Sequence, residues 1–328
     1  MQNRWHRVGC ALLFGLCASP GLAEGEANLD FTAGARNLSP VAALFALEPP
    51  VPKSQDGLTV SLSTASHSVG ESEGSNIVLF DGETNVLDLV GTASLGRDWR
   101  VAITVPYIWH ATGSLDPLID DWHKFFGFPD GIRDDVPRDD LRFEYLRGGT
   151  PVIDLTRNTR GLGDVRLAAS WSPEPLARHG LSLALGVKLP TGDAQDLTGS
   201  GSTDVSAVLH WRRQAPTSRW LFEGSAGVAA LGDADLALGD QSSTAWLGHV
   251  AVGYTVTPKL TLGTRLQLHA GPVADGPAPL SATSVLLTTG GSIAFNDDWR
   301  LDITFDEDIN VETAPDIVFR FALSRRFD

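Results

Sequence analysis

Asp116, Asp120 and His123 are the residues of this chain whose types and spacing come nearest to chemistry. Spaced four and then three apart, they share one flank if their segment is helical. Two carboxylates beside an imidazole can bind a metal or move a proton. The helix signals are present. Asp116 followed by Pro117 makes a cap and a first turn, and Gly127 and Pro129 end the segment. A solvated flank is the plainer reading of this trio and is preferred. The other side of the helix is apolar: Leu115, Leu118, Ile119, Trp122, Phe125 and Phe126 recur at helical spacing. Such a stripe must dock, either on the mouth of a larger structure or on the outer leaflet of a membrane, and docking in the mouth makes a gate or ligand-contact loop. The candidates are Leu115, Asp116, Ile119, Asp120, Trp122, His123, Phe125 and Phe126.

Other catalytic signals are missing. There is no G-x-S-x-G, and Ser114 has no triad spacing to His123. Asp193 and Asp196 lack the positions of a calcium loop, and Gly199-Ser-Gly leads into a strand rather than a helix. No cofactor, no metal and no enzymatic activity are expected. An enzyme acting on lipid through His123 is kept as an alternative.

The elements that would position this loop are strands. In Trp99–Trp109, Trp99, Val101, Ile103, Val105, Tyr107 and Trp109 alternate with Arg100, Ala102, Thr104 and Ile108. Ten steps of about 3.3 Å, tilted about 40°, rise roughly 25 Å, the height of a membrane barrel's apolar band. Eleven further segments alternate: Leu58–Thr64, Val86–Leu95, Val165–Trp171, Leu181–Leu189, Val205–Trp211, Trp220–Ala230, Trp246–Val256, Leu260–Leu268, Thr283–Phe295, Trp299–Phe305 and Ile317–Phe327. Their connections alternate too. Gly96–Asp98, Thr257–Lys259 and Asn296–Asp298 are short, whereas Val69–Thr84, His110–Gly163, Pro190–Thr203 and Ala270–Ser281 are long. Trp99, Trp220 and Trp299 follow short turns, and Trp171 and Phe295 precede them, which places all five on one rim. Pro106 removes a ladder donor and marks one weak point.

The sequence therefore predicts an all-β chain, a transmembrane antiparallel up-and-down β-barrel of about twelve strands. A short amphipathic helix is expected in the long external loop, residues 110–163. Charges on the alternate face must then point inward, since each costs about 2–4 kcal/mol at mid-depth in hydrocarbon. Arg100, Arg166, Lys188, Arg212, Glu223, Arg265, Arg300, Asp302, Asp306 and Arg320 become candidate lumen lining, with Asp88, His210, His249 and His269 among them.

The ends of the chain fit an exported protein. Arg4 and Arg7, the apolar run Val8–Ala18, and Gly21 and Ala23 describe a signal peptide over residues 1–23. Leu16 before Cys17 argues against a lipoprotein. Both cysteines leave with that peptide, and 23 basic residues then face 40 acidic ones, a net of −17. That balance argues against nucleic acid as a partner. Residues 24–56 are a lead-in or a plug, with a short helix expected over Asn37–Leu47, and residues 57–328 are the barrel. Leu141–Tyr145 and Val152–Leu155 are either an external hairpin or two more membrane strands. The last strand, Ile317 to Phe327, resembles the insertion signal of outer-membrane barrels, apart from Asp328 after the aromatic.

The run LDPLIDDWHKFFGFPDGIR (115–133), preceded by VPYIWHATGSL, resembles the central signature of a bacterial family known as domain of unknown function 3187. GLGD (161–164), KLPTGD (188–193) and GSGSTD (199–204) resemble it too, and are similar to the porin-like phenol-degradation transport proteins. The resemblance implies an outer-membrane barrel in a Gram-negative bacterium. It implies no established activity. The expected function is a passive or selective channel for a small solute, with a structural surface protein of plugged lumen as another alternative. Expected partners are outer-membrane lipids and lipopolysaccharide, the barrel-insertion machinery and the solute.

Overall fold

The computed structural model describes residues 29–113 and 140–327, apart from 33, 51, 52, 216, 311 and 312. Among these described residues fifteen strands join in one antiparallel sheet. They are β1 (Gly57–Glu73), β2 (Asn76–Leu95), β3 (Trp99–Ala111), β4 (Arg142–Arg147), β5 (Thr150–Leu155), β6 (Thr159–Leu162), β7 (Arg166–Trp171), β8 (Leu181–Lys188), β9 (Asp204–Gln214), β10 (Trp220–Ala230), β11 (Thr244–Thr257), β12 (Leu260–His269), β13 (Ser284–Ala294), β14 (Trp299–Asp308) and β15 (Ile317–Arg326). Each pairs with its neighbours, and β1 pairs with β15 from Gly57↔Arg326 to Ser66↔Ile317, so the sheet closes on itself. Strands β6 and β7 are one barrel strand interrupted, and β4–β5 stand outside the wall. The chain is a closed antiparallel barrel of twelve strands.

The interruption has a local cause. Pro106 offers no N–H, and the partner strand breaks opposite it: β7 ends its pairing at Thr104↔Arg166 and β6 begins at Tyr107↔Leu162. Gly163 fills the gap and donates its N–H to the Pro106 carbonyl at 2.8 Å. A side chain there would meet Ile108 Cδ1 at 2.8 Å and Pro106 Cγ at 2.9 Å, so any residue but glycine forces those side chains to shift.

Three expectations are corrected or decided. Val69–Thr84 is no loop: β1 and β2 stay paired out to Glu73↔Asn76, well past the span of about 9–11 residues that a membrane strand needs. Above the point where β3 leaves β2 at Glu83↔Ala111, β4 takes its place from Asp81↔Arg142 to Ile77↔Leu146, and β5 pairs only with β4. The two segments are thus an external hairpin. Asn37–Leu47 forms only a one-turn 3-10 segment, Ala42–Leu44. A stretch that short has too few propagating bonds to repay helix nucleation.

The outer face is apolar. Leu58, Val60 and Leu62 on β1, Leu87 and Leu89 on β2, Ile303 on β14 and Phe321 on β15 are exposed. At the short-turn rim Trp99 packs against its cross-strand partner Trp171, and Trp220 against Tyr254. The guanidinium of Arg325 lies 5.6 Å from the Trp299 ring and 5.9 Å from that of Phe327, a cation held among aromatics at the rim.

Candidate functional site

The described residues between Leu29 and β1 lie inside this wall. From Leu29, near the short-turn end, the chain rises to the long-loop end and returns to begin β1 at Gly57. Leu29 sits against Gly253 and Gly263, where a side chain on either glycine would meet Leu29 Cδ2 at 2.8 and 2.5 Å. Higher up, Val41, Leu44, Phe45 and Leu47 join a buried apolar cluster. Its other members include Phe80, Phe143 and Tyr145 of the external sheet, and Leu197, Leu238 and Leu280 of the long connections. Among the described residues this cluster fills the upper mouth, and the interior below it is largely polar apart from a small apolar group of Leu29, Phe31, Leu221 and Ala251.

The segment is tied to the wall at many heights. Asp30 accepts from Ser54 N and Oγ at 2.9 and 2.6 Å and lies 3.8 Å from Arg300. Burial pushes the Asp30 carboxyl up, but Arg300, Ser54 and Lys53 outweigh it and hold it below its ordinary value. Arg36 meets Asp88 at 3.8 Å, Glu48 meets Arg166 at 3.1 Å, and Lys53 meets Asp302 at 3.5 Å. Burial raises the Glu48 carboxyl above its usual range and lowers the Lys53 ammonium. Asn37 Nδ2 reaches the Thr313 carbonyl at 2.8 Å, with Ser284 and His269 close by. Arg265 donates to the Thr32 carbonyl and to Gln267 Oε1.

The expected lining residues divide by partner. Arg166, Arg265, Arg300 and Asp302 hold the inner segment. Arg320 and Asp306 pair with each other at 3.5 Å, as do Arg212 and Glu223 at 2.9 Å. Arg100 lies at the lower rim, 3.6 Å from Asp56. Lys188 is fully buried and holds the densest knot. Its ammonium reaches Asp164 at 2.6 Å, Ser200 at 2.7 Å, the Ser202 carbonyl at 2.8 Å and Asp204 at 3.7 Å. Asp164 in turn accepts from the N–H groups of Thr191, Gly192 and Ser200. Asp204 accepts from those of Gly232 and Ala46. One lysine thus fixes two long loops and the inner segment.

Sequence reasoning passed over Asp164 and Asp204, yet its own motifs contained them. They are the last residues of GLGD and GSGSTD, and Lys188 is the first of KLPTGD. The three strings meet at one ion cluster. The loop after Lys188 closes on itself, Asp193 accepting from Gln195 and Asp196. His110 joins it from β3, Nε2 donating to the Leu197 carbonyl at 3.1 Å, while Nδ1 meets the Thr84 hydroxyl, which also bonds His67. The predicted gate residues Leu115, Asp116, Ile119, Asp120, Trp122, His123, Phe125 and Phe126 lie outside the described residues.

Cavities remain around the inner segment. One, about 130 Å³, is lined by Arg36, Glu48, Lys53, Asp88, Arg166 and Arg320. Another, about 450 Å³, opens toward the short-turn end beside His210, Arg212, Glu223, His249 and Arg265. The His210 and His249 rings lie 6.0 Å apart, and Ser225 Oγ is 2.6 Å from His249 Nδ1.

A family model described as Protein of unknown function (DUF3187) matches residues 35–327. Among solved structures, the COG4313 outer membrane channel from Pseudomonas putida F1 is similar over 86% of this chain and 98% of its own, at 12% identity and a TM-score of 0.54. The NanC porin is similar over 82% of this chain and 100% of its own, at 9% identity and a TM-score of 0.48. The P. putida toluene transporter TodX is similar over 87% and 94%, at 13% identity and a TM-score of 0.41. At 12% identity the likeness to the COG4313 channel is one of fold. No curated protein matches the sequence.

Proposed function

The chain belongs to the DUF3187 family of proteins of unknown function, and we propose that it is an outer-membrane channel for a small solute, closed at rest by its own residues 29–56. One observation carries this reading: wall and filling are held by different means. The wall is a backbone ladder that closes on itself. The filling is held by side-chain pairs and scattered hydrogen bonds, so moving it breaks no rung. Cavities already flank it. The channel named for the similar barrel from Pseudomonas putida F1 supports the same class of activity.

The location follows the outer surface. Exposed leucines and valines ringed by tryptophans suit a bilayer and its interface, with the short-turn rim toward the periplasm. The signal-peptide pattern of residues 1–23 supports export. A static surface barrel is the second reading, favoured by the occupied lumen. Planar-bilayer recording separates them. The full chain should open rarely, and a variant lacking residues 29–50 should conduct steadily at higher conductance. If neither conducts, while both run as heat-modifiable barrels on a gel, the channel is refuted and the static barrel stands.

A further inference from the structure

Arg265 stands apart from the other inward-facing cations. It is 1% exposed, and among the described residues no carboxylate lies within 4.0 Å of it. Its Nη atoms donate to neutral oxygens, the Thr32 carbonyl and Gln267 Oε1, and its Nε has no partner. The acids that could neutralise it are engaged: Glu223 by Arg212, Asp306 by Arg320, and Asp30 by Arg300 and Ser54. A buried guanidinium that no carboxylate touches, balanced only at longer range by Asp306 and Glu223, gains from a closer anion.

The surroundings fit a supplier from outside. Arg265 lines the 450 Å³ cavity together with His210, whose Nε2 is buried and unpartnered, and His249. Leu29 offers that cavity an apolar wall. Its volume falls within the range of small-molecule sites, roughly 300–1,000 Å³. A carboxylate can take Nε together with one Nη in the two-pronged geometry that guanidinium favours, and His210 Nε2 is free to donate a third bond.

We propose that this cavity binds a small organic carboxylate, with Arg265 as its anchor and His210 as a supporting donor. The assignment rests on the channel reading, for which it names the solute class. Binding there has a structural corollary. A carboxylate that takes Nε shares that edge with Nη2, so it competes with Gln267 Oε1 and leaves the Nη1 tie to the Thr32 carbonyl in place.

The test uses the purified full chain in detergent, with benzoate, neutral benzamide and cationic benzylamine as probes in calorimetric titration. Benzoate should bind saturably, and about tenfold or more tighter than benzamide, the margin of a charge-assisted over a neutral hydrogen bond. Arg265→Gln should weaken benzoate by a similar factor, and Arg265→Lys should retain more of it. Chloride should compete with benzoate on the unaltered protein, a measurement that needs no variant to fold. Equal binding of benzoate and benzamide, indifference to chloride, or unchanged affinity in Arg265→Gln each overturns the assignment. Conduction without benzoate binding leaves the channel and removes the site, whereas benzoate binding without conduction does the reverse.

Discussion

Replacing Lys188 with Met should uncouple the long loops from the barrel. Methionine keeps the stem but removes the ammonium that Asp164, Ser200, the Ser202 carbonyl and Asp204 share. Two carboxylates that are 3% and 0% exposed in their side chains then face each other without a cation. Breaking a buried pair by removing one partner costs about 3–5 kcal/mol. The cheapest relief is to open the loops that cover them, because the amides of Gly192, Ser200, Gly232 and Ala46 are held by those same carboxylates. At about 1.4 kcal/mol per decade, their hydrogen exchange should quicken by about two to three and a half orders of magnitude. The amides of β12 should keep their protection, since its ladder to β11 and β13 is untouched. Adding Asp164→Asn to the variant should recover part of the loss, as the uncompensated charge falls by one. Exchange at the four amides within about threefold of the unaltered protein would mean the knot is incidental to loop closure, and the reasoning fails.

Ile103→Arg puts a charge on the lipid face, where Ile103 is 45% exposed; it should lower stability by about 2–4 kcal/mol in urea titration of the heat-modifiable band. Gly163→Ala pushes a methyl group into Pro106 and Ile108 and should cost about 1–3 kcal/mol by the same titration. Asp30 gives a pH signature. Its carboxyl is held below its ordinary value, so its tie is fully present above pH 3.8 and is lost as pH falls through the depressed value. Exchange of the Ser54 amide, corrected for intrinsic rate, should therefore speed only at strongly acid pH, and Asp30→Asn should remove that dependence.

The wall was legible because lipid enforces it. A strand such as Leu181–Lys188 must alternate, so Leu183 and Leu185 announce the outside and Lys188 the inside. Above the membrane that pressure ends. Glu71, Ser72 and Glu73 carry no alternation, and the upper part of β1 reads as a loop although it is paired. The facing of the lining charges was legible, and their partners were not. Lys188 finds Asp164 24 positions away through the register of two neighbouring strands, and Arg265 finds Thr32 233 positions away on the inner segment, where no ladder sets the register. The inner segment was harder still. Leu29, Leu38, Leu44 and Leu47 fill an irregular space, and irregular packing leaves no period to read.

The ties of residues 29–56 run to β2 through Asp88, to β7 through Arg166, to β9 through Asp204, to β12 through Arg265 and to β14 through Arg300. These strands stand around the whole circumference, so the segment works as a hub and its pairs as spokes. An unspoked hoop of twelve strands can flatten into an oval with little change to its ladder; a spoked one holds its cross-section round. Releasing any single spoke then softens the wheel as a whole, and on the channel reading proposed above, a movement that clears the lumen also changes the shape of the wall around it.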